Sequence, residues 1–362
     1  MNITIDVRKF YDSGVGTYIQ NLVPKITKFL PQHSFTLLSH SKDILLHFPD
    51  QQNIFFVNCE TKPYTIREQI DVLSLTPKNT HLLWIPFINI PVLYKGKLLV
   101  TVYDMNFLAL PQFLSLPQRL YAKIVFRAIR HKANHVLCIS EFSKREFLRL
   151  VPGKKVDVSA IPLGTASHWF TPTQNLENPQ DKPFFLFVGN VKPHKNLVRL
   201  LQAYERIALQ IPHDLIIVGK KEGFIVSDTQ ALAYPSSLNE RIVFTGHIND
   251  ERLRQYYTHA TALAFPSLYE GFGLPALEAM ACSCPVLTSN VTALPEVCGD
   301  AALYCDPYSV EDIAKQLLRL AKDEELRRDL ITKGKKRAAS LTFDACAEQT
   351  TKVIQNLLYP LR

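Results

Sequence analysis

Short apolar runs alternate with helical patterns along the whole chain, and this alternation limits the possible folds more than any other feature. The runs lie at residues 35–38, 98–103, 135–139, 184–188, 215–218, 242–245, 262–266 and 285–288. Strands separated by helices build a parallel sheet covered on both faces, so an α/β architecture is expected. Gly189, Gly219 and Gly246 stand at the ends of three such runs. In open α/β sheets ligands sit outside the carboxyl ends of the strands, so these three turns are expected to face one crevice.

The chain has 362 residues, which at roughly 150 residues per domain favours two domains. Residues 171–183, TPTQNLENPQDKP, are polar, rich in Pro and free of helical periodicity, and make the best linker. Apolar residues make up 47% and charged residues 20%, with a mean hydropathy of −0.01. That balance excludes disorder, collagen-like repeats and coiled coil. Forty-one Lys and Arg against 33 Asp and Glu leave +8, which suits an acidic ligand, an anionic membrane surface or nucleic acid without choosing among them.

Seven cysteines are scattered with no C-x-x-C pair, so a reduced, cytoplasmic chain without a zinc site is expected. Asp6 and Arg8 fall where a signal peptide needs an apolar run, and no stretch reaches the length of a membrane span. The nearest, residues 82–94, contains Pro86, Asn89 and Pro91 and reads as a buried strand and loop.

The segment richest in chemistry is PSLYEGFGLPALEAMACSCPVL, residues 266–287. Gly271 and Gly273 permit close backbone approach, and Pro275 fits the first position of a helix. Amides at about Phe272 to Ala276 would then point at an anion in the crevice. Glu278, one turn in, can project toward the same site as Glu270 and accept hydrogen bonds from ligand hydroxyls. The plainer alternative is an ordinary helix whose two acids stabilise its N-terminal dipole.

These residues carry a family resemblance. The E-x7-E spacing of Glu270 and Glu278, followed by P-V-L-T-S, Leu294-Pro-Glu-Val and Gly299-Asp-Ala-Ala-Leu, resembles the signature of retaining, nucleotide-sugar-dependent family-four glycosyltransferases, the group 1 glycosyl transferases of the GT-B fold. Further segments follow in family order: Ser13-Gly-Val-Gly16 before a helix, Ile139-Ser-Glu-Phe-Ser143, Ile161-Pro-Leu-Gly164, Val188-Gly-Asn-Val-Lys-Pro-His-Lys-Asn196 and Phe244-Thr-Gly246. The resemblance implies two doubly wound Rossmann-like domains facing a central crevice. Residues 1–170 form the acceptor-side domain, residues 171–342 the donor-binding domain, and residues 343–362 cross back to the first as a last helix.

The same resemblance assigns roles. Glu270 partners the donor sugar hydroxyls, Glu278 the nucleotide ribose, and Lys195 the pyrophosphate and leaving group. Backbone at Gly271, Phe272, Gly273 and Leu274 shares that load, as do Gly189, Asn190 and Lys192, while Gly14, Val15 and Gly16 approach the phosphates from the other lobe. His247 and Ile248, after Gly246, match a loop that contacts the base. Three positions depart from the family: Asn190 and His194 stand where relatives often carry Arg, and Tyr103 stands before Asp104 where relatives commonly carry His. Tyr103 is expected to offer its hydroxyl to the donor sugar or to pack under its loop, and Asp104 to be a structural cap or a catalytic contact.

The function so implied is retaining transfer of a hexose, with mannose from GDP-mannose preferred over a GDP- or dTDP-linked 6-deoxyhexose. The acceptor is a glycan or lipid-linked glycan, as in cell-surface polysaccharide or lipopolysaccharide synthesis. No cofactor and no metal are expected, since the chain holds no D-x-D pair and Lys195 with a helix dipole can stabilise the departing diphosphate. No protein nucleophile is implied, because Glu270 and Glu278 lie on one segment near the leaving group, whereas glycosidase acids flank the anomeric carbon. Two other classes stay open: a nucleotide-sugar-binding protein with impaired catalysis, motivated by Asn190, His194 and Tyr103, and a glycosyltransferase acting on nucleic acid, motivated by +8. No basic arm with interleaved aromatics supports the latter.

A basic stripe remains. On the expected helix over residues 117–132, Arg119, Lys123, Arg127 and Arg130 recur at helical spacing opposite Leu120, Ile124 and Ala128. It reads as a solvated face, or as one meeting anionic lipid at the membrane's inner surface or a diphosphate-linked acceptor.

Overall fold

The computed structural model describes residues 1–49, 51–171, 177–190, 192–219 and 238–360. Two compact units divide the chain, one of Met1–Gly164 with Phe343–Arg362 and one of Thr165–Thr342.

The first unit is built on seven parallel strands: β1 (Asn2–Asp6), β2 (Ser34–Ser39), β3 (Ile54–Asn58), β4 (Thr80–Ile85), β5 (Leu98–Val102), β6 (His135–Cys138) and β7 (Asp157–Ala160). Their order is β3-β2-β1-β4-β5-β6-β7. Parallel strands need crossovers, supplied here by α1 (Ser13–Phe29), α2 (Ile66–Leu75), α3 (Asn106–Ala109), α4 (Leu116–Lys132) and α5 (Glu141–Leu150). The second unit has β8 (Phe184–Val188), β9 (Asp214–Val218), β10 (Ile242–Gly246), β11 (Ala262–Phe265), β12 (Val286–Ser289) and β13 (Leu303–Cys305) in the order β10-β9-β8-β11-β12-β13. Its helices are α6 (Leu197–Ile207), α7 (Asp250–His259), α8 (Leu274–Ala281), α9 (Leu294–Cys298), α10 (Val310–Lys322) and α11 (Glu324–Ser340). The last helix, α12 (Phe343–Leu358), belongs to the first unit and packs on α1 and β4.

Both orders reverse direction once, between β1 and β4 and between β8 and β11, and such a switch point opens a crevice at the strand ends. Burial on both faces explains the unbroken apolar strands: all five residues of β8 and all five of β5 are buried. Helices instead bury one stripe, as α6 does with Leu197, Leu200, Leu201, Tyr204 and Ile207.

Two sequence expectations are corrected here. The chain passes between units at Gly164–Thr165, six residues before the expected boundary at 170 and outside the expected linker. Thr165 pairs with Thr342, Trp169 is buried edge-on against Tyr257 at 5.7 Å, and the Cys282 Sγ lies 3.5 Å from the Trp169 carbonyl oxygen. An indole buried this way holds its segment to the second unit. Residues 172–176 of the expected linker lie outside the described residues, and the rest leads into β8 within that unit.

The second correction concerns α4. Leu120 and Ile124 are exposed, and the buried face is Ala122, Val125, Phe126 and Ile129. Periodicity alone fits either stripe. The one that packs carries Phe126 and two β-branched residues, while Leu120 and Ile124 share the solvent side with the cations.

Asp6 and Arg8, which interrupt the apolar start, form a fully buried ion pair: Arg8 Nη2 lies 2.6 Å from Asp6 Oδ2 and 2.6 Å from Glu68 Oε1. Burial raises the Glu68 carboxyl and Arg8 opposes it. The seven cysteines are unpaired and buried. Among the described residues no helix is long and apolar enough to cross a membrane.

Candidate active site

The loops after β8 and β11, on either side of the switch point of the second sheet, carry Lys195 and Glu270. The loop after β8 runs from Gly189 to a single turn at Pro193–Lys195 and then into α6. The loop after β11 runs to α8. A hydrogen bond from the Leu268 amide to the His194 carbonyl, 2.7 Å, ties them together. Asn196 fixes the entry to α6. It is buried in the left-handed region at φ 63°, and its Nδ2 donates to the carbonyls of Pro266 at 2.9 Å and Pro307 at 2.7 Å.

With the loops held, Lys195 Nζ donates to Glu270 Oε1 at 2.6 Å, with both side chains largely buried. The ammonium also lies 5.2 Å from the Phe265 ring centroid, and a Cβ at Gly189 would sit 3.9 Å from the lysine stem. The predicted cation and the predicted sugar-hydroxyl acceptor are therefore a joined pair. His194 adds no charge: burial, helped by Lys195, pushes its imidazole down to about 4, so it is neutral at neutral pH. Lys192 and Asn190 are exposed, and Val191 between them lies outside the described residues.

The strands β8, β9 and β10 end in interlocked glycines. The Gly189 amide donates to Val218 O at 2.9 Å and the Gly219 amide to Gly246 O at 3.0 Å. Gly219 holds φ at +153°, and a Cβ there would stand 2.0 Å from the Gly189 carbonyl oxygen, so no other residue fits. His247 is exposed and Ile248 half-buried in the turn between β10 and α7.

α8 begins at Leu274 behind Gly273, whose φ is +118° and whose Cβ would meet Leu294 at 2.8 Å. No side chain caps this end and no acid sits in its first turn, leaving the positive end of the dipole to a ligand. The Ala276 amide bonds Gly273 O, so the anion-facing amides expected over 272–276 stop short of Ala276. The Phe272 ring is buried, so that position offers backbone only.

Glu270 and Glu278 have separate partners. Thr292 Oγ1 accepts from the Glu270 amide at 3.3 Å. The Tyr257 hydroxyl on α7 donates to Glu278 Oε2 at 3.1 Å. Burial pushes the Glu278 carboxyl up to about 7 while the tyrosine contact opposes the shift. Asn196, Thr292 and Tyr257 had no role in the sequence reading. The first two carry a signal after the fact, since both hold positive φ, but a local conformation of that kind depends on the packing around it.

In the first unit, Ser13-Gly-Val-Gly16 is the first turn of α1 rather than a loop before it. The Gly16 amide already donates to Asp12 O at 2.6 Å, and its Cβ would stand 2.5 Å from Phe10 O. Helix packing therefore demands this glycine. Gly14 faces open space, and Val15 beside it is half-buried. The Tyr103 hydroxyl donates to Pro86 O at 2.9 Å, and its ring meets Tyr18 edge-on at 5.5 Å. Burial raises this phenol well above its usual range. Asp104 Oδ1 accepts from the Asn106 amide at 3.0 Å, a turn that opens α3. Ser140 caps α5 by accepting from the Ser143 amide, and the Ser143 hydroxyl donates to Tyr103 O at 2.8 Å. Among the described residues no three His, Cys, Asp or Glu side chains gather as a metal-binding group.

A lysine, a carboxylate and an uncapped helix start at the switch point of a doubly wound sheet equip a protein to bind a phosphorylated ligand rich in hydroxyls. This chain belongs to the group 1 glycosyl transferases, whose family model matches residues 172–337. It is 30% identical over 259 residues to the O-antigen chain mannosyltransferase B of Escherichia coli, covering 69% of this chain and 68% of that one. A serotype-specific mannosyltransferase of Escherichia coli, WbdA, is 34% identical over 162 residues, 43% of this chain and 20% of that longer protein. In fold the chain resembles the sucrose-phosphate synthase of Thermosynechococcus elongatus, with a TM-score of 0.80, 21% identity and 99% of each chain covered. The protein is a glycosyltransferase with the GT-B fold.

Proposed function

We propose that the enzyme transfers mannose from GDP-mannose, with retention and without a metal, to a glycan or lipid-linked glycan acceptor in cell-surface polysaccharide synthesis. The observation that carries this reading is the Lys195–Glu270 pair at 2.6 Å beside the α8 start. In this reading a cation for diphosphate and an acceptor for sugar hydroxyls stand within one hydrogen bond of each other. Mannose is chosen because the two curated relatives named above are mannosyltransferases.

In the proposed reaction the bond from the sugar C1 to the diphosphate oxygen breaks as the acceptor oxygen bonds C1 on the same face, and the acceptor proton passes to the departing diphosphate. Lys195 and the amides at Phe272 to Leu274 meet the charge that develops there. Glu270 accepts from the sugar hydroxyls, Glu278 from the ribose, and His247 with Ile248 borders the base. Gly189, Asn190 and Lys192 line the phosphate end. Gly14 and Val15 are the first unit's candidates for an anionic ligand, and Tyr103 and Asp104 support the loop after β5. We further propose peripheral contact with an anionic membrane, where a lipid-linked acceptor would reside.

The test is a panel of nucleotide sugars scored by release of nucleoside diphosphate, with the anomeric configuration of the product read by NMR. GDP-mannose should give the fastest release and an α-linked product, and the rate should survive excess EDTA. Complete loss on chelation, restored by magnesium, would contradict Lys195 as the compensating cation. An inverted product would contradict the same-face substitution.

A further inference from the structure

We propose that Asn196 is a positioning residue for Lys195. Its side-chain amide, oriented by Arg199, clamps the loop after β8 so that the lysine ammonium stands ready for the diphosphate of the donor. The inference rests on the role proposed above for Lys195 and adds the residue through which the fold sets it.

An asparagine at the start of a helix ordinarily serves that helix, by accepting from an amide of the first turn. Asn196 stands at this position of α6 and its side chain makes no such bond. Nor does the left-handed backbone, at φ 63°, explain the side chain, because glycine takes that conformation with less strain. The amide is used elsewhere. Its Nδ2 donates to Pro266 O at 2.9 Å and to Pro307 O at 2.7 Å, and its Oδ1 accepts from Arg199 Nη1 at 2.9 Å. Carbonyls can only accept and a guanidinium can only donate, so a single orientation of the amide satisfies all three partners. Asn196 is buried, and losing the amide leaves two carbonyls short of a donor.

Those carbonyls belong to different loops. Pro266 directly follows β11 and opens the loop that carries Glu270, whereas Pro307 lies on the loop after β13. Asn196 therefore joins three strand-end loops. The β8 loop is held on both sides of Lys195: before it, the His194 carbonyl accepts from the Leu268 amide at 2.7 Å, and after it Asn196 bonds Pro266. A lysine on an unpinned loop spreads its ammonium over many conformers. With both neighbours pinned, Nζ is kept 2.6 Å from Glu270 Oε1 and 5.2 Å from the Phe265 ring centroid. Such preorganisation serves a cation that must be in place before the diphosphate develops its charge. Arg199 completes the device, since its guanidinium lies 5.9 Å from the ring of Tyr308 on the loop after β13. The group that orients the amide is thus held by the third loop.

The experiment is a double-mutant cycle on the full chain, read by calorimetric titration with GDP. Asn196→Gly keeps the left-handed turn and removes the amide. It should weaken GDP binding tenfold or more with Lys195 present and less than twofold in a Lys195→Ala chain, while lowering the thermal midpoint equally in both. An equal loss of GDP affinity in the two backgrounds would make Asn196 a residue of the fold alone and overturn the proposal, as would an unchanged affinity. If Asn196→Gly does not fold, Arg199→Ala decides: a several-fold loss that again needs Lys195 is expected, and a loss independent of Lys195, or none, would overturn the proposal. A second readout does not depend on the donor. The Lys195 Hε resonance, assigned by its absence from Lys195→Ala, carries the ring-current shift of Phe265 and should move toward the free-lysine position in Asn196→Gly and in Arg199→Ala. An unmoved resonance would overturn the positioning even if GDP affinity falls. Absence of GDP binding in the wild type would sink the diphosphate role of Lys195, and the resonance would then decide alone whether Asn196 places the ammonium.

Discussion

Lys195 and Glu270 neutralise each other in the free protein, and this changes what a substitution at either should do. On the roles proposed above a donor has to share or divide the pair, so Glu270→Gln would free the ammonium for diphosphate while removing the carboxylate from the sugar. GDP affinity should hold or rise, and kcat/KM for transfer should fall by about 1.5–3 kcal/mol, roughly ten- to a hundredfold. Lys195→Ala should lose GDP affinity instead. Calorimetric titration with GDP checks both, and a Glu270→Gln variant that binds GDP much more weakly would contradict the pairing argument. Glu278 adds a pH dependence. Its carboxyl sits near 7 in the folded protein against an ordinary 4.5, so the protonated form is the one the fold favours. Stability from this group is full below about 4.5 and is lost as pH rises to about 7. A ribose donating to the carboxylate reverses the preference, so GDP binding near pH 6 should release a proton. Glu278→Gln should flatten the stability slope over that window and abolish the proton release, as measured by thermal melts and by titration in buffers of different ionisation enthalpy. Identical pH profiles for variant and wild type would remove Glu278 from both roles.

Among the elements, the glycine-ended strands show how tightly backbone geometry holds the loops. Gly219 has no room and holds φ at +153°, whereas Gly246, at φ +72°, has nothing within 4 Å of a built Cβ. Gly246→Ala should therefore cost only the left-handed conformation, about 1–2 kcal/mol. Gly219→Ala should cost clearly more and weaken GDP binding as well, because it pushes the Gly189 carbonyl and with it the loop carrying Lys195. Urea unfolding of the two variants checks the order, and equal midpoints would refute it. Most strands were legible in the sequence because burial on both faces writes itself as an apolar run. β8 was readable to the residue. β1, β3, β7 and β13 were not picked out: NITID alternates polar with apolar, and LYC is three residues long. The wrong face of α4 has the same origin, since a helical period marks stripes without saying which one meets the core.

At the scale of the molecule, the chain leaves the first unit at Gly164 and returns at Phe343. α12 buries Phe343, Cys346, Ala347, Ile354 and Leu358, and Lys25 Nζ bonds Asp344 Oδ1 at 2.6 Å. A chain ending at Thr342 should keep the second unit and the GDP binding proposed for it while the first unit loses its cooperative transition and aggregates, as seen by calorimetry and light scattering. An unchanged thermal profile would show that α12 is dispensable. By itself the sequence determined two doubly wound sheets, the loops proposed to carry the site, the returning last helix and the family, because strand runs, glycine turns and motif spacing are local in the chain. Only the tertiary structure decided that Lys195 and Glu270 share one bond, that the Tyr103 hydroxyl is committed to Pro86, that Gly16 serves packing, that residues 165–170 belong to the second unit, and which face of α4 meets solvent. Each of these depends on groups far apart in sequence meeting in a dense interior, where burial and the need to satisfy every polar atom select one arrangement among several that the local pattern allows.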